Sequence, residues 1–290
     1  MAPLAQPSPW TLPTTKPKIS PLSVAGWFLL VAVLVGSYHL SELSPGKLLH
    51  PEGGRGLVGL LADFFPPDLS LDFLSYLVAP TVKTIQISVM GTALAILIGL
   101  PLGILATSTL TFAGILFERR GMSHPARRRL WMLPYLFARG GLSLLRSIPE
   151  IVWGVLFVRI VGLGPFAGVL AIGLSYGGML GKVYAEILEG VKQSPVEAVR
   201  AVGARKFPLV IYGLFPQAFP NFVAYSLYRW ECAIRSAAIL GLVGAGGLGQ
   251  EIEVSMKMLN YPQAFTIILV SFVLVTLVDQ ASSWIRRNLL

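Results

Sequence analysis

Charge is scarce in this chain: 13% of its 290 residues are Asp, Glu, Lys or Arg, against 54% hydrophobic. Soluble domains carry about 25% charged residues, so the polar surface of a water-soluble fold is missing. Acids are scarcer than bases, 14 against 23, which leaves a formal charge of +9. With a single cysteine, Cys232, the chain cannot close an internal disulfide. Its three histidines, His39, His50 and His124, are far apart in sequence and form no metal-ligand motif. The lack of an H-E-x-x-H string argues against a membrane-embedded enzyme. A Walker A loop is also missing. The nearest string contains Gly181-Lys182, but has Tyr176 where the first glycine belongs and Val183 in place of Ser or Thr. The phosphate cradle needs both, so no ATP site and no cofactor are expected on this chain.

Long apolar runs are abundant. About 20 apolar residues cross a bilayer as a helix, and lipid admits only helices or closed barrels. Six runs read as spans: Leu22–Leu40, Ile85–Ile104 in a helix starting near Ala79, Leu136–Val161 interrupted by charges, Phe166–Ile187, Phe215–Gly241 and Ala264–Trp284. The expected fold class is an all-α integral membrane protein with six transmembrane helices. Leu22–Leu40 is too long for a signal-peptide core and lacks a clean cleavage site, so it reads as a retained first span.

Basic residues collect in cytoplasmic loops. Residues 107–135 carry Arg119, Arg120, Arg127, Arg128 and Arg129 against Glu118, and residues 181–206 carry Lys182, Lys192, Arg200, Arg205 and Lys206. Arg286 and Arg287 lie near the C-terminus. Residues 41–78 instead hold Glu42, Glu52, Asp63, Asp68 and Asp72 against Lys47 and Arg55. Both termini and both basic segments are therefore expected in the cytoplasm, and the positive charge marks topology rather than nucleic-acid binding. The expected organisation is a cytoplasmic tail at 1–21, a first helix at 22–40, a periplasmic segment at 41–78 and a core at 79–290 with a cytoplasmic loop at 191–215. In the outer segment, Leu57, Leu60, Leu61, Phe64 and Phe65 fall at helical spacing before Pro66-Pro67. That spacing predicts an amphipathic helix in the interface, either a surface spacer or a docking surface for an external partner. No internal repeat is visible, which argues against a secondary transporter built from paired ion-coupling segments.

The stretch from Tyr184 to Pro220 is the most informative. Helix formers run to Val191, then Ser194-Pro195 opens a second helix, with serine as N-cap, proline at the first position and Glu197 early. Gly203 breaks it, and another short helix follows before Pro216. Such a helix–turn–helix can dock into a groove on a cytoplasmic partner.

Glu197-Ala198-Val199, Gly203 six positions after the glutamate, and Pro216 resemble the E-A-A-x3-G-x9-I-x-L-P motif of ABC-importer permeases. Val199 replaces the second alanine, and Gly213 and Phe215 replace the isoleucine and leucine. The resemblance implies that Glu197, Ala198, Val199, Gly203 and Ala204 dock on a separate ATPase, which holds ATP and Mg. From Thr81 to Glu251 the chain is more narrowly similar to phosphonate-importer permeases. The telling pieces are Arg146-Ser147-Ile148-Pro149-Glu150 and Arg229-x-Glu231-x3-Arg235 followed by glycines. This likeness implies a type I ABC-importer permease fold working as a homodimer in the bacterial inner membrane. It also implies two ATPase subunits and a periplasmic phosphonate-binding protein. Phosphonate is the implied solute, with phosphate or phosphite as alternatives; a methionine-type permease would leave the intramembrane arginines unexplained.

Gly244, Gly246, Gly247 and Gly249 spell the dinucleotide fingerprint G-x-G-x-x-G. That fingerprint needs a preceding strand and an acid about 20 residues on, whereas these glycines follow an apolar helix and Glu251 and Glu253 come too early. They are expected at the outer mouth of a pore, letting helices approach and the chain turn. Arg146, Glu150 and Arg159 fall in the third span, and Arg229, Glu231 and Arg235 in the fifth. A charge at a helix centre costs about 2.5–3.5 kcal/mol on insertion scales, so these residues should face protein or water. Arg146/Glu150 and Glu231/Arg235 are spaced to pair on their own helices. Two readings are open: Arg146, Ser147, Glu150, Arg229, Glu231 and Arg235 line a passage for an anion, or the charges are ion pairs that hold the bundle together.

Overall fold

A computed structural model describes residues 21–41, 57–111 and 125–289, and every regular element among them is helical. Two units separate, residues 1–62 and 63–290. In the first, α1 (Pro21–Leu40) is apolar along its whole length and carries no charged residue besides His39 near its end, the composition of a helix made for lipid. α2 (Leu57–Asp63) ends three residues before Pro66. Phe64 and Phe65, expected to continue its apolar face, lie past its end; Phe64 stacks on Phe265 at 5.6 Å between ring centroids and Phe65 packs tilted against it at 5.1 Å. The tail at 1–20, Glu42, Lys47, Glu52, Arg55, Arg119 and Arg120 lie outside the described residues.

The second unit runs α3 (Leu71–Leu105), α4 (Ser108–Thr111), α5 (Pro125–Ser147), α6 (Glu150–Val161), α7 (Pro165–Glu189) and α8 (Gln193–Ala201). α9 (Lys206–Pro208) continues through a π-helical stretch, Leu209–Leu214, into α10 (Phe215–Leu240). A second π-helical turn, Gly241–Ala245, leads to α11 (Leu248–Lys257), and α12 (Tyr261–Leu289) closes the bundle. α1, α3, α7 and α12 are each long and apolar enough to cross a bilayer, and α10 with α11 forms a fifth candidate, bent by 53°.

α3 starts at Leu71 rather than near Ala79, because Pro80 lies inside the helix instead of opening it. The hydroxyl of Thr84 donates to the Pro80 carbonyl at 3.0 Å, one of the local bonds that satisfy backbone in an apolar setting. The predicted third span is two helices. Ile148-Pro149 ends α5, since a residue before proline is pushed out of the helical region, and Pro149 caps α6. Trp153 Nε1 then donates back to the carbonyl of Leu145, one of the carbonyls α5 leaves open.

α3 and α7 form the tightest seam. A Cβ on Gly99 would sit 2.9 Å from the Gly181 amide nitrogen, and one on Gly103 would sit 2.7 Å from the Gly181 carbonyl. Neither helix could approach so closely with larger residues there. Around this seam Ile87, Ala95, Ile172, Leu180, Ala237 and Leu240 form a core with almost no exposed surface. At the end of the bundle where α3 starts, the turn at 64–70 is clasped to α12. Asp68 accepts from Ser70 and Gln263, bonds that hold its carboxyl below the usual carboxylate range, and its carbonyl accepts from Thr266.

Candidate functional site: the α8 elbow, an intramembrane polar cluster and a glycine break

The loop after α7 folds into an elbow that carries Glu197, Ala198, Val199, Gly203 and Ala204. Lys192, not Ser194, precedes the first turn of α8, and no side chain caps it. Val196 is fully buried against Leu209 and Leu214 and fixes α8 to the π-helical stretch. Gly203 takes a φ of +80° and donates its N–H to the Arg200 carbonyl at 2.8 Å, a turn that side-chain-bearing residues resist. Glu197, Ala198 and Gly203 are exposed, Val199 and Ala204 half-buried. Val202 and Phe207 stand beside them, 85% and 75% exposed. The short helix expected after Gly203 is not a separate piece: α9, the π-helical stretch and α10 are continuous.

Of the six charged or polar residues expected on a pathway, the structure joins Glu150 and Arg229 through Tyr176. Ser236 Oγ donates to Glu150 Oε1 at 2.8 Å, so the 2.8 Å contact between Ser236 and Tyr176 has the tyrosine hydroxyl as donor. The Arg229 guanidinium lies over the rings of Tyr176, Tyr225 and Tyr228 at 5.5, 5.3 and 5.7 Å. It also donates to the Tyr225 hydroxyl at 2.8 and 3.1 Å. Cation–π contacts of this kind are each worth about 0.5–2 kcal/mol and need no carboxylate.

The two expected same-helix pairs do not form. Ile148-Pro149 separates Arg146 from Glu150, and Arg146 donates to Ser143 at 3.3 Å instead. Glu231, 8% exposed, faces Arg286 of α12 at 2.7 Å, outside hydrogen-bonding alignment, while Arg235 is exposed. Ser147 is exposed and donates to the Leu144 carbonyl at 2.9 Å.

Sequence reasoning missed Tyr176, Ser236 and a third ion pair. Arg139 Nη2 donates to both carboxylate oxygens of Glu189 at 2.9 Å, and Glu189 also accepts from the Ser108 N–H at 2.8 Å. A glutamate in the last turn of a helix opposes the macrodipole and calls for a cation; that signal was available for Glu189.

Gly244, Gly246 and Gly247 lie at the bend between α10 and α11, and Gly249 in the first turn of α11. Gly244, Gly246 and Gly247 have φ of +98°, +87° and +76°, and a Cβ on Gly249 would fall 1.8 Å from the Ala238 carbonyl oxygen. Beyond them α11 runs ten residues antiparallel to the start of α3, with Leu248 N–H on Thr84 Oγ1 and Tyr76 on Glu251.

Over residues 99–290 the sequence matches the family of binding-protein-dependent transport system inner membrane components. The chain belongs to that family. It is 35% identical over 256 residues to the phosphite transport system permease protein PtxC of Stutzerimonas stutzeri, covering 88% of this chain and 85% of that one. It is 34% identical over 272 residues to the phosphate-import permease protein PhnE of Mycolicibacterium smegmatis, covering 90% of this chain and 46% of that longer protein. A chain of the MetNI methionine ABC transporter in an inward-facing conformation shares the fold, with a TM-score of 0.60 at 24% identity over 77% of this chain and all of that one. The protein is thus a multi-pass inner-membrane permease of an ABC importer, and not the ATPase.

Proposed function

We propose that this permease imports phosphonate as a homodimer, with phosphate or phosphite as the alternative solutes. One observation carries the solute class: the relatives PtxC and PhnE, at 35% and 34% identity, are named for phosphite and phosphate. Arg229 fits that class chemically. A guanidinium matches phosphorus oxyanions bidentately, and here tyrosine faces rather than a carboxylate balance it. Such a site offers an anion a weak, passing contact and does not trap it. A periplasmic binding protein delivers the solute and largely selects it.

Two ATPase subunits, holding ATP and Mg, dock on the exposed face of α8, and both termini lie on that cytoplasmic side of six spans. Val196 locks α8 to the π-helical stretch that runs into α10, so movement of the elbow moves the fifth span. The break at Gly241–Gly247 lets the lower part of that span swing without carrying α11. ATP binding draws the elbows together and opens the passage outward; hydrolysis returns it inward.

The test is ATP hydrolysis by the permease reconstituted with its ATPase and binding protein. The solutes are 2-aminoethylphosphonate, phosphate and phosphite. Stimulation by one liganded binding protein identifies the solute. An assembled complex that none of the three stimulates removes the phosphorus oxyanions.

A further inference from the structure

Arg139, Ser143 and Arg146 occupy successive turns on one side of α5 and, with Leu142, face Lys182 and Ala185 of α7. Together with Ala106 at the end of α3 they line a cavity of about 190 Å³. Two of its three cations already have acids: Arg139 has Glu189 at 2.9 Å and Lys182 has Glu186 at 3.4 Å. Arg146 has none among the described residues, and reaches only the Ser143 hydroxyl. The cavity therefore holds one more positive charge than its acids balance, together with a hydroxyl donor. It lies on the half of the bundle that leads into α8, and Leu136 and Leu133, one and two turns before Arg139 on α5, are 55% and 60% exposed.

We propose that this cavity binds a phosphate-type oxyanion, carried on an acidic lipid headgroup or free in solution. Three N–H-bearing cations and a hydroxyl converging on one space match the several acceptor oxygens of a phosphate better than the two of a carboxylate. Basic pockets between membrane helices on the cytoplasmic side suit lipid phosphates, whose chains would follow the exposed leucines. The site is separate from Arg229 and stands whichever solute is imported.

The experiment uses the full permease–ATPase complex in nanodiscs of phosphatidylcholine, with and without phosphatidylglycerol, and with inorganic phosphate added to the lipid-neutral discs. Native mass spectrometry counts bound lipid on folded complexes only, so poor folding of a variant does not imitate loss. Phosphate binding is read as a shift in melting temperature. Retained phosphatidylglycerol assigns the headgroup as the source; a phosphate shift in neutral discs assigns the free anion. In either arm Arg146→Gln with Lys182→Gln should weaken binding by about tenfold or more, and Arg146→Lys should restore part of it. The absence of both lipid retention and a phosphate shift in the wild type overturns the proposal, and so does a double variant that binds like the wild type.

Discussion

Gly249 and Gly140 show how differently two glycines of one apolar chain are constrained. A Cβ on Gly249 would fall 1.8 Å from the Ala238 carbonyl, whereas one on Gly140 would meet nothing within 4 Å. Gly249→Ala should therefore force α10 and α11 apart and cost roughly 1–3 kcal/mol. Gly140→Ala, inside α5, should gain about 0.5–1 kcal/mol from helix propensity. Thermal unfolding of the two variants in detergent checks the pair, and equal midpoints would show that the break does not hold α10 and α11 so closely. Arg229 gives a second prediction at this scale. Arg229→Gln keeps a polar side chain beside Tyr225 but loses the charge over three rings, and should lower solute-stimulated transport about tenfold with the protein still folded. Normal uptake by that variant would remove Arg229 from the passage.

The α8 elbow works as an element because a buried residue and a turn act together. Gly203→Pro would replace a φ of +80° with one near −65° and delete the N–H that bonds Arg200. We expect that variant to insert normally, yet to leave ATP hydrolysis unstimulated by liganded binding protein. Coupled turnover at the wild-type rate would show that the turn is not used. How far such elements were legible depended on how local their causes are. The long apolar helices α1, α7, α10 and α12 were readable from apolar length, and the Gly203 turn from one residue type. Pro80 and Pro149 were not: each could open, bend or split a helix, and the choice rests on Thr84 in one case and Trp153 in the other. The charge pairs were read as i, i+4 contacts because only one helix is visible in a sequence. Glu231 instead meets Arg286, 55 positions away, across a packed interface. Arg286→Gln would leave Glu231 buried without a cation, and should destabilise more than the double variant Glu231→Gln/Arg286→Gln, by about 1–3 kcal/mol. A double-mutant cycle on melting temperature measures the difference; additive losses would reduce the pair to a bystander.

At the scale of the whole molecule, the length of α3 decides which ends of the bundle face opposite compartments. Its 35 residues reach about 50 Å at 1.5 Å per residue, more than the roughly 30 Å hydrocarbon core. One end begins at the 64–70 turn, clasped to α12 through Asp68. The other ends beside Ser108, whose N–H bonds Glu189 of α7, three residues before the Lys192 that precedes α8. The turn holding Leu69 and the elbow holding Ala201 therefore lie at opposite ends of one long apolar helix, and from the basic residues around α8 we propose that the elbow faces the cytoplasm. With the sole cysteine removed as Cys232→Ser, Leu69→Cys should react with a membrane-impermeant maleimide in intact spheroplasts and Ala201→Cys only in inverted vesicles. The reverse pattern would turn the protein over and place its elbow where no ATPase could reach it. Reaction of both from one side would show that α3 does not cross the bilayer.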